Sequence, residues 1–402
     1  MKSDLISMPF TRIILTLLFL ISCAGIEMMG QRYQTRTYTE ADGLANSMIF
    51  DMVQDSSGML WIGRRSGISS YDGTSFINYN VADGLLSTSY RFLIIDEKEH
   101  LWALPESGAL FVSSLEGTKW QTISTNRGIP NPFSPSYSSF DVFYYQGEPV
   151  ILVGTLDKGF LIYQHKRWKL FTVAAGLPDN RINSARSFGG VIYIATDMGL
   201  VMLQNDIVKP VHDSCSPLLS GNILAMERQG NLLWLLGENW LGYLTEGKFK
   251  MIIKGFQLPV KGIGRQCFLH AGRDRKIYFG NSFKVFSYSM SANQLHILDR
   301  NNGLISEGGT AVLVDRELNT WITGYRGITK IPSERFASYY EKDGLSSNEV
   351  AAAIEISPGM YVFGHDGALT FFDGKNMTRF ILDPVRLIAN YETRVLDIQK
   401  DL

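Results

Sequence analysis

The amino-acid sequence predicts an all-β protein, a single β-propeller built from four-stranded antiparallel blades. The first observation is a unit that begins with Asp42-Gly43-Leu44, continues through Trp61-Ile62-Gly63, ends at Phe76 to Tyr79, and is then repeated along the chain. The second is that each unit holds four short apolar or alternating runs separated by Gly, Asp, Asn and Ser, which is typical of strands and turns. The third is composition, because 45% hydrophobic and 12% aromatic residues with only 19% charged residues describe a chain that can bury a large core.

An aromatic and apolar residue pair in the second predicted strand marks the repeat. Its successive positions are separated by 41, 50, 41, 41, 44, 43 and 40 residues, a period that is typical of propeller blades. A single blade is too small to hide both of its faces, so neighbouring blades must pack against it around a central channel. The eight positions are Trp61-Ile62, Trp102-Ala103, Leu152-Val153, Tyr193-Ile194, Trp234-Leu235, Tyr278-Phe279, Trp321-Ile322 and Tyr361-Val362.

The recurring residues of the unit are predicted to build the scaffold. The large aromatic side chain of the second strand supplies apolar area that packs between blades. Asp55, Asp96 and Asp315 each stand six residues before that aromatic residue, where a hairpin turn needs an Asx-type cap. The residues that vary between units are therefore the candidates for function.

The number of blades is predicted less sharply than their type. Eight repeat units indicate eight blades, and Tyr33 to Thr39 alternates like a strand that can serve as the outer strand of the last blade. Seven blades is the alternative, if the terminal units are partial or if one degenerate unit is an insertion. The propeller is predicted over residues 33–380, and residues 381–402 are predicted to be a linker or the opening strands of another domain.

The amino terminus predicts export from the cytoplasm. A basic start is followed by the apolar run Ile13 to Ile21, nine residues that are too few to span a bilayer, so residues 1–24 are predicted to be a signal peptide. Two cleavage sites remain open. Ordinary signal peptidase would cut after Ala24, whereas a lipobox at Leu20-Ile21-Ser22-Cys23 would make Cys23 the lipidated first residue. The mature protein is predicted in the periplasm or at the cell surface, with a lipid anchor in the second case.

Charge and cysteine content limit the partners. A formal net charge of -1 and a pI near 6.6 provide no basic excess for nucleic acid or an anionic membrane, so neither is predicted to bind.

Cys215 and Cys267 follow the signal peptide, and an oxidising compartment permits a disulfide between them, with buried thiols as the alternative. No His or Cys spacing matches a metal site, and no motif indicates a cofactor or a nucleophile. No metal, cofactor or catalytic residue is therefore predicted.

The repeat unit resembles that of the two-component regulator propeller family in Asp42-Gly43-Leu44, Val53-Gln54-Asp55-Ser56-Ser57-Gly58, Leu60-Trp61-Ile62-Gly63 and Tyr71-Asp72-Gly73. The resemblance covers Tyr33 to Phe380. It implies an exported sensor module of a bacterial two-component system, in which a propeller precedes a small β-sandwich of the Y_Y_Y type, a transmembrane helix and a histidine kinase. Pro384-Val385-Arg386-Leu387 resembles the start of that sandwich.

The resemblance also implies a ligand and partners. Several family members are similar to oligosaccharide sensors, so a polar ligand of that kind is expected. Because the sequence carries only the start of a sandwich, signalling is expected to need a partner. That partner is either a membrane sensor kinase or a second copy of this chain, joined through the C-terminal segment.

The loops between the second and third strands are predicted to carry the ligand site. They rise on the same face of the propeller as the Asp-Gly-Leu connections and so surround one mouth of the channel. Their mixture of charged, amide and aromatic side chains suits a sugar held by hydrogen bonds and ring stacking. The predicted ligand-binding residues are Arg64, Arg65, Glu106, Asp157, Lys158, Asp197, Glu238, Asn239, Trp240, Asn281, Tyr325, Arg326, His365 and Asp366.

Two other functional classes stay open. A carbohydrate-active propeller enzyme, either a lyase or a hydrolase, predicts a pair of carboxylates about 5 to 10 Å apart that face the channel. A non-catalytic adaptor propeller predicts an extended apolar patch on one face. Because no catalytic motif is present, the sequence favours a ligand-binding sensor over both.

Overall fold

Four-stranded antiparallel sheets make up nearly all of the computed structural model. The structure describes residues 33–108, 111–116, 119–124, 135–211, 217–260, 266–332, 339–374, 376–382 and 395–399. The chain divides into two compact units, one of which is Tyr33–Phe336, while the other comprises Ala337–Leu402 and Met1–Arg32. Within the described residues the first unit contains seven sheets and the second contains one.

The seven sheets of the first unit are called blades 1 to 7, and the strands of each blade are given from the innermost outward. Blade 1 contains β2 (Ile49–Gln54), β3 (Leu60–Arg64), β4 (Gly67–Tyr71) and β5 (Phe76–Tyr79). Blade 2 contains β6 (Tyr90–Ile95), β7 (Leu101–Pro105), β8 (Phe111–Glu116) and β9 (Lys119–Ser124). Blade 3 contains β10 (Tyr137–Tyr145), β11 (Glu148–Thr155), β12 (Phe160–Gln164) and β13 (Arg167–Phe171). Blade 4 contains β14 (Ile182–Phe188), β15 (Val191–Thr196), β16 (Gly199–Gln204) and β17 (Ile207–Pro210).

The remaining blades follow the same order. Blade 5 contains β18 (Ile223–Gln229), β19 (Leu232–Gly237), β20 (Trp240–Thr245) and β21 (Lys248–Lys254). Blade 6 contains β22 (Phe268–Ala271), β23 (Lys276–Asn281), β24 (Lys284–Ser289) and β25 (Gln294–Leu298). Blade 7 contains β26 (Ala311–Val314), β27 (Thr320–Gly324), β28 (Gly327–Ile331) and, as its outer strand, β1 (Arg36–Tyr38). Short 3-10 turns connect several successive blades, at Glu40–Asp42, Val81–Asp83, Val173–Ala175, Pro217–Ser220 and Arg300–Asn302.

Strand β1 closes the ring of blades. It pairs antiparallel with β28, so that Tyr38 lies opposite Ile328, and the Tyr38 ring stacks on Trp321 with 5.5 Å between ring centroids. Blade 7 also meets blade 1 directly, because the Thr310 hydroxyl donates a hydrogen bond of 2.9 Å to the carbonyl oxygen of Ile49. Blades 1 and 7 therefore share one buried apolar cluster, and the first unit is a closed seven-bladed propeller.

Glycine is required in blades 1, 3 and 7, where the third strand begins close to the backbone at the end of the outer strand. Gly67 begins β4 with a φ of 114°, and a Cβ atom there would collide with the carbonyl oxygen of Tyr79 at the end of β5. The same close approach joins Gly159 to Phe171 and Gly327 to Tyr38. The turns between second and third strands therefore lie on the same face as the connections between blades, as the sequence predicted. This face is called the mouth face below.

The Asp residues that precede the repeated Trp residues cap the hairpins, as predicted, and also hold the indole rings. The carboxylate of Asp55 accepts hydrogen bonds from the backbone amides of Ser57 and Met59, and from the indole nitrogen of Trp61 at 2.9 Å. Asp96 and Asp315 bind the indole nitrogens of Trp102 and Trp321 in the same way, each at 2.7 Å. One side chain thus fixes both a turn and the packing between blades.

The predicted fold class is confirmed. Of the two blade numbers that the sequence left open, seven is the number in the ring. The strand near Tyr33 does serve as the outer strand that completes the ring, but it pairs with the seventh repeat and not with the eighth. The eighth repeat belongs to the second compact unit. The predicted propeller range 33–380 therefore contains a closed ring over Tyr33–Phe336 and one further sheet.

The sheet of the second unit consists of β29 (Ala352–Ser357), β30 (Met360–Gly364), β31 (Ala368–Phe372) and β32 (Met377–Ile381), and the 3-10 turn Glu341–Asp343 precedes it. Its repeat aromatic residue, Tyr361, is 36% exposed, whereas Trp321 of blade 7 is 3% exposed. Side chains of β29 alternate between half-buried and exposed along the strand. The described part of this unit therefore leaves surface accessible that the ring blades bury.

Several predictions concern residues outside the described ranges. They are the signal peptide at residues 1–24 with its candidate lipidated Cys23, the candidate disulfide partner Cys215, and the sandwich-like stretch Pro384-Val385-Arg386-Leu387. In the part of the chain that the structure describes, no helix is long and apolar enough to cross a membrane.

We expect Tyr38→Ala to destabilise the propeller by about 3 to 5 kcal/mol, because it removes a buried ring that packs on Trp321 and Tyr71 at the point of closure. Urea denaturation monitored by tryptophan fluorescence measures the loss. Tyr145→Ala is the matched control, since Tyr145 is 52% exposed and its replacement should change stability by less than about 0.5 kcal/mol. Equal effects of the two substitutions would contradict the assigned role of β1.

Candidate functional site

A central channel of about 430 Å3 passes between the innermost strands of the seven blades. Its wall includes residues of β2, β6, β10, β14, β18, β22 and β26. Leu156, Ser282 and Tyr325, which lie in turns of the mouth face, also line it. The volume lies within the range of sites for small ligands, so the channel is the candidate functional site.

One side of the mouth combines aromatic rings with an ion pair. The Tyr325 ring meets Phe50 edge to face, with 6.4 Å between ring centroids, and the Arg91 guanidinium lies 5.2 Å above the Phe50 ring. Arg91 also pairs with Glu106 at 3.3 Å, and the Ser89 hydroxyl donates to the other oxygen of Glu106 at 3.1 Å. The structure therefore brings the predicted site residues Tyr325 and Glu106 to the channel mouth.

The opposite side of the mouth carries a hydrogen-bonded row of polar side chains across blades 4 and 5. The amide nitrogen of Asn183 donates to Asp197 at 2.9 Å and to Asn222 at 3.0 Å, and Asn222 donates to Glu238 at 3.0 Å. Arg181 lies 3.6 Å from Asp197, too far for a hydrogen bond, and its Nε is buried without a hydrogen-bond partner. The predicted residue Asp197 thus adjoins the channel-lining Asn183, and Asn222 connects the predicted residue Glu238 to the same row.

Three of the predicted site residues lie inside the blades. Arg64 is 1% exposed, and its guanidinium donates to Ser66, Ser69 and Asn78, so that it ties together the outer three strands of blade 1. Burial lowers its pKa to about 10. Trp240 packs in the core of blade 5, and the amide of Asn281 donates to the carbonyl oxygen of Pro259 at 3.1 Å. The structure gives these side chains scaffold contacts.

The other predicted residues are spread over exposed turns or lie in the second unit. Arg65, Asp157, Lys158, Asn239 and Arg326 are exposed, and Asp157 and Lys158 pair with each other at 3.3 Å. His365 and Asp366 belong to the unit that contains the eighth repeat, so the ring of blades does not include them. His365 is buried, contacts the carbonyl oxygen of Glu349 and the hydroxyl of Thr370, and has a pKa lowered by burial.

The channel wall contains charged residues that the sequence reasoning did not select. Asp51 of β2 accepts the backbone amides of Met52 at 2.8 Å and Leu93 at 2.9 Å. Asp141 of β10 pairs with Arg228 of β18 at 2.7 Å and accepts the amide of Ser187 at 3.0 Å. These two carboxylates thus have both oxygens engaged, and they link neighbouring or distant blades.

Glu227 of β18 and Arg186 of β14 form a looser pair. The distance from Nη2 of Arg186 to the nearer carboxylate oxygen of Glu227 is 3.8 Å, beyond hydrogen-bonding range. The Glu227 side chain keeps 28% of its accessible surface because it faces the channel, although protein surrounds it on the other sides. The two groups therefore present polar atoms to the channel.

Confinement in the channel changes the acidity of two of these carboxyl groups. Burial raises the pKa of Glu227 to about 7, against the opposing charges of Arg186 and Arg228 and with a further increase from Asp141 and Asp51. Burial likewise raises the pKa of Asp51 to about 6, although the amides of Leu93 and Met52 oppose the shift. Glu227 therefore changes charge near neutral pH.

These residues leave a weak signal in the sequence. Five of the seven innermost strands carry a charged residue in the interior of an otherwise apolar or alternating run, and these residues are Asp51, Arg91, Asp141, Arg186 and Glu227. A propeller has its innermost strand at the channel, so a charge at that point of the repeat marks the channel wall. Aligning the units on their first strands would have found the set.

The described residues do not form a metal centre, because they contain no cluster of three or more His, Cys, Asp or Glu side chains suited to one. His270 lies in the channel wall, where its Nε2 accepts the amide of Val314 at 3.3 Å, and burial lowers its pKa to about 4. Burial also raises the pKa of Cys267 to about 12. The imidazole is therefore neutral, and the thiol is protonated, at physiological pH.

Comparison with known proteins shows that this fold is shared with other solved propellers. The structure is similar to the extracellular domain of the hybrid two-component system BT3049 of B. thetaiotaomicron, with a TM-score of 0.65 and 18% identity over 87% of this chain and 49% of that one. The chain therefore spans about half the length of that domain. The resemblance to two-component sensor propellers that the repeat motifs indicated is confirmed at the level of fold.

Two further comparisons define the limits of this similarity. Virginiamycin B lyase from Staphylococcus aureus has the same fold at a TM-score of 0.54, with 11% identity over 75% of this chain and 99% of the enzyme. Histidine kinase P4 of Formosa agariphila is 32% identical over 63 residues, which are 16% of this chain and 5% of that protein. No family model matches the chain. The fold alone therefore accommodates both sensors and enzymes, and the function has to be argued from the channel.

We expect the stability of the propeller to fall as pH rises from about 4.5 to about 7, partly because of Glu227. The native carboxyl keeps its proton up to about pH 7, whereas the unfolded chain releases it near 4.5, so the native state binds more protons in this window. Glu227→Gln should therefore be more stable than the wild type by about 1 to 3 kcal/mol at pH 8, with a smaller difference at pH 5.

Urea denaturation of both proteins at the two pH values measures this difference. Glu97→Gln, which alters an exposed carboxylate, is the control and should give the same small effect at both. A stability difference for Glu227→Gln that does not change with pH would show that Glu227 titrates normally.

Proposed function

We propose that the chain is an extracytoplasmic sensor module of a two-component system, and that it binds a polar ligand such as an oligosaccharide at the mouth of the channel. The observation that carries the proposal is the composition of that mouth. Tyr325 offers a ring surface that the buried Phe50 supports, and Arg91, Glu106 and Asn183 place hydrogen-bonding groups around the mouth. Sugars present both apolar ring faces and hydroxyl groups, which such a surface matches.

The scaffold supports this reading. Phe50, Arg91 and Asn183 lie in the innermost strands of closed blades, and Tyr325 lies in a turn that follows β27, so the site is preorganised. The similarity to an extracellular domain of a hybrid two-component system supports an extracytoplasmic location and a sensory role. A ligand that contacts several blades at the mouth would alter the packing among them, and the segment after Phe380 would carry that change to the output.

The repeat units carry no catalytic motif, so the proposed output step lies outside them. We propose a membrane sensor kinase for this role, or a second copy of the chain joined through its C-terminal segment. The partial match to a histidine kinase supports the first possibility. The partly exposed sheet of the second unit, with Tyr361 and Phe380 at its surface, supports contact through the C-terminal region in either case.

An enzyme acting on carbohydrate is the second candidate, and Glu227 is the observation that favours it. A carboxyl group with a pKa near 7 is suited to general acid chemistry. Hydrolysis by two carboxyl groups needs a second one besides Glu227. Asp51 and Asp141 already use both of their carboxylate oxygens to bind backbone amides or Arg228. The channel therefore favours binding over catalysis.

A glycan panel tests the proposal. The purified propeller should bind at least one oligosaccharide on an array, and isothermal titration calorimetry should give a dissociation constant for it. Tyr325→Ala should weaken that binding about tenfold, because a stacking ring at the mouth is lost. Tyr145→Ala, which removes an exposed ring on the hairpin between β10 and β11, should leave the affinity unchanged.

The same samples separate sensing from catalysis. Chromatography of each glycan after long incubation with the protein should recover it intact, whereas shortened or unsaturated products would establish an enzyme. A folded protein that binds no glycan on the array would eliminate the oligosaccharide sensor.

A further inference from the structure

In one charged pair of the channel wall, Nη2 of Arg186 faces the carboxylate of Glu227 without a hydrogen bond between them. Among the described channel-wall charges, Asp51 is bonded to backbone amides, and Asp141 and Arg228 are bonded to each other. Arg228 also donates to the carbonyl oxygen of Ser187 at 3.0 Å. Glu227 and Arg186 are different, because the gap of 3.8 Å between them is too long for a hydrogen bond.

The guanidinium of Arg186 is held in a fixed orientation. Its Nη1 donates to the carbonyl oxygens of Phe140 at 3.1 Å and Ala185 at 2.9 Å. These bonds anchor one side of the planar group to β10 and β14 and leave Nη2 directed toward Glu227. Arg186 is therefore preorganised to bond a third group placed between Nη2 and Glu227.

We propose that Glu227 and Arg186 form a second, deeper subsite that binds a vicinal diol of an uncharged sugar. This inference rests on the proposed function and specifies its ligand. One hydroxyl would donate to the carboxylate of Glu227, while its neighbour would accept from Nη2 of Arg186. A hydroxyl can both donate and accept, and bonds to charged partners are the stronger kind.

The charges around the subsite select against ionic ligands. A cationic group at Glu227 would lie close to Arg186 and Arg228, and an anionic group at Arg186 would lie close to Glu227, Asp141 and Asp51. Each ionic ligand would therefore meet like charge in a confined channel where screening is weak. An uncharged polyol meets neither penalty.

The position of Glu227 also sets the length of the ligand. Strand β18 starts at the mouth face beside Asn222, and Glu227 is the fifth residue of that strand. At the usual rise of a strand this places Glu227 roughly 13 Å from the mouth. A ligand that reaches both the Tyr325 ring and Glu227 must therefore be an oligosaccharide and not a single sugar.

Calorimetry with defined probes tests the subsite. The probes are hexasaccharides of glucose in its α-1,4, β-1,4 and β-1,3 linkages, hexasaccharides of xylose and mannose, an acidic hexagalacturonate, a cationic chitosan hexamer, and free glucose. We expect one or more neutral hexasaccharides to bind the wild-type protein more tightly than glucose. Glu227→Gln should weaken that binding about tenfold to a hundredfold, because a charged acceptor is lost. Glu97→Gln, on an exposed turn, should leave it unchanged.

A pH series separates a direct contact from a structural role. The groups that act on Glu227 from the surrounding strands are Arg186, Asp141 and Asp51, with Arg228 on its own strand. Because the carboxylate is the better acceptor, wild-type affinity should rise between pH 6 and pH 8 and then level off. Glu227→Gln should remove this rise. If that variant does not fold, the carboxyl 13C shift of Glu227 in the wild-type protein should move on saturation with the bound hexasaccharide.

The outcomes distinguish the subsite from the proposed function. Binding of a neutral hexasaccharide that Glu227→Gln leaves within twofold, with no movement of the Glu227 resonance, would refute the subsite and leave the sensor proposal intact. Preference for the acidic or the cationic hexamer would refute only the statement that the ligand is uncharged. Glucose that binds as tightly as the hexamers would refute the requirement for length. A folded protein that binds none of the probes would overturn both proposals.

Discussion

Closure of the ring is the constraint on which the rest of this structure depends. Each blade leaves apolar faces that only its neighbours can bury, so the seven blades are stable together or not at all. The last interface is made by β1, which pairs with β28 so that Arg36 lies opposite Lys330. The channel exists only because this interface forms. Any ligand bound in the channel therefore depends on β1, although β1 itself does not contact the ligand.

The repeat assigns structure and function to different positions of the same unit. Asp55, Asp96 and Asp315 each hold a turn and an indole ring, and the glycine that opens the third strand lets backbone approach backbone. Because these tasks recur in several blades, the same residue types recur. The innermost strand has a side that faces the channel, where no neighbouring blade dictates the side chain, and charged residues occur there.

The structure places only some of the predicted ligand residues at the channel, for a physical reason. The mouth face was identified correctly, and Tyr325, Glu106 and Asp197 do reach or adjoin the channel. Arg64 and Trp240 occupy comparable turns but point into the blades, because a position at a strand end does not fix which way its side chain turns. Glu227 and Arg186 were missed because their significance depends on facing each other across two strands that are separate in sequence.

The sequence by itself determined the blade, its four strands, its capped hairpins and the face on which its turns gather. These are local properties that follow from periodicity, turn residues and the spacing of Asp and Trp, and they repeat often enough to exclude chance. Only the tertiary structure decided that seven blades close, that β1 joins the seventh repeat, and that the eighth lies in another unit. The number of blades in the ring depends on how each blade is rotated against the next. The chemistry of the channel depends on which strands then face one another. Neither property is encoded in a single unit.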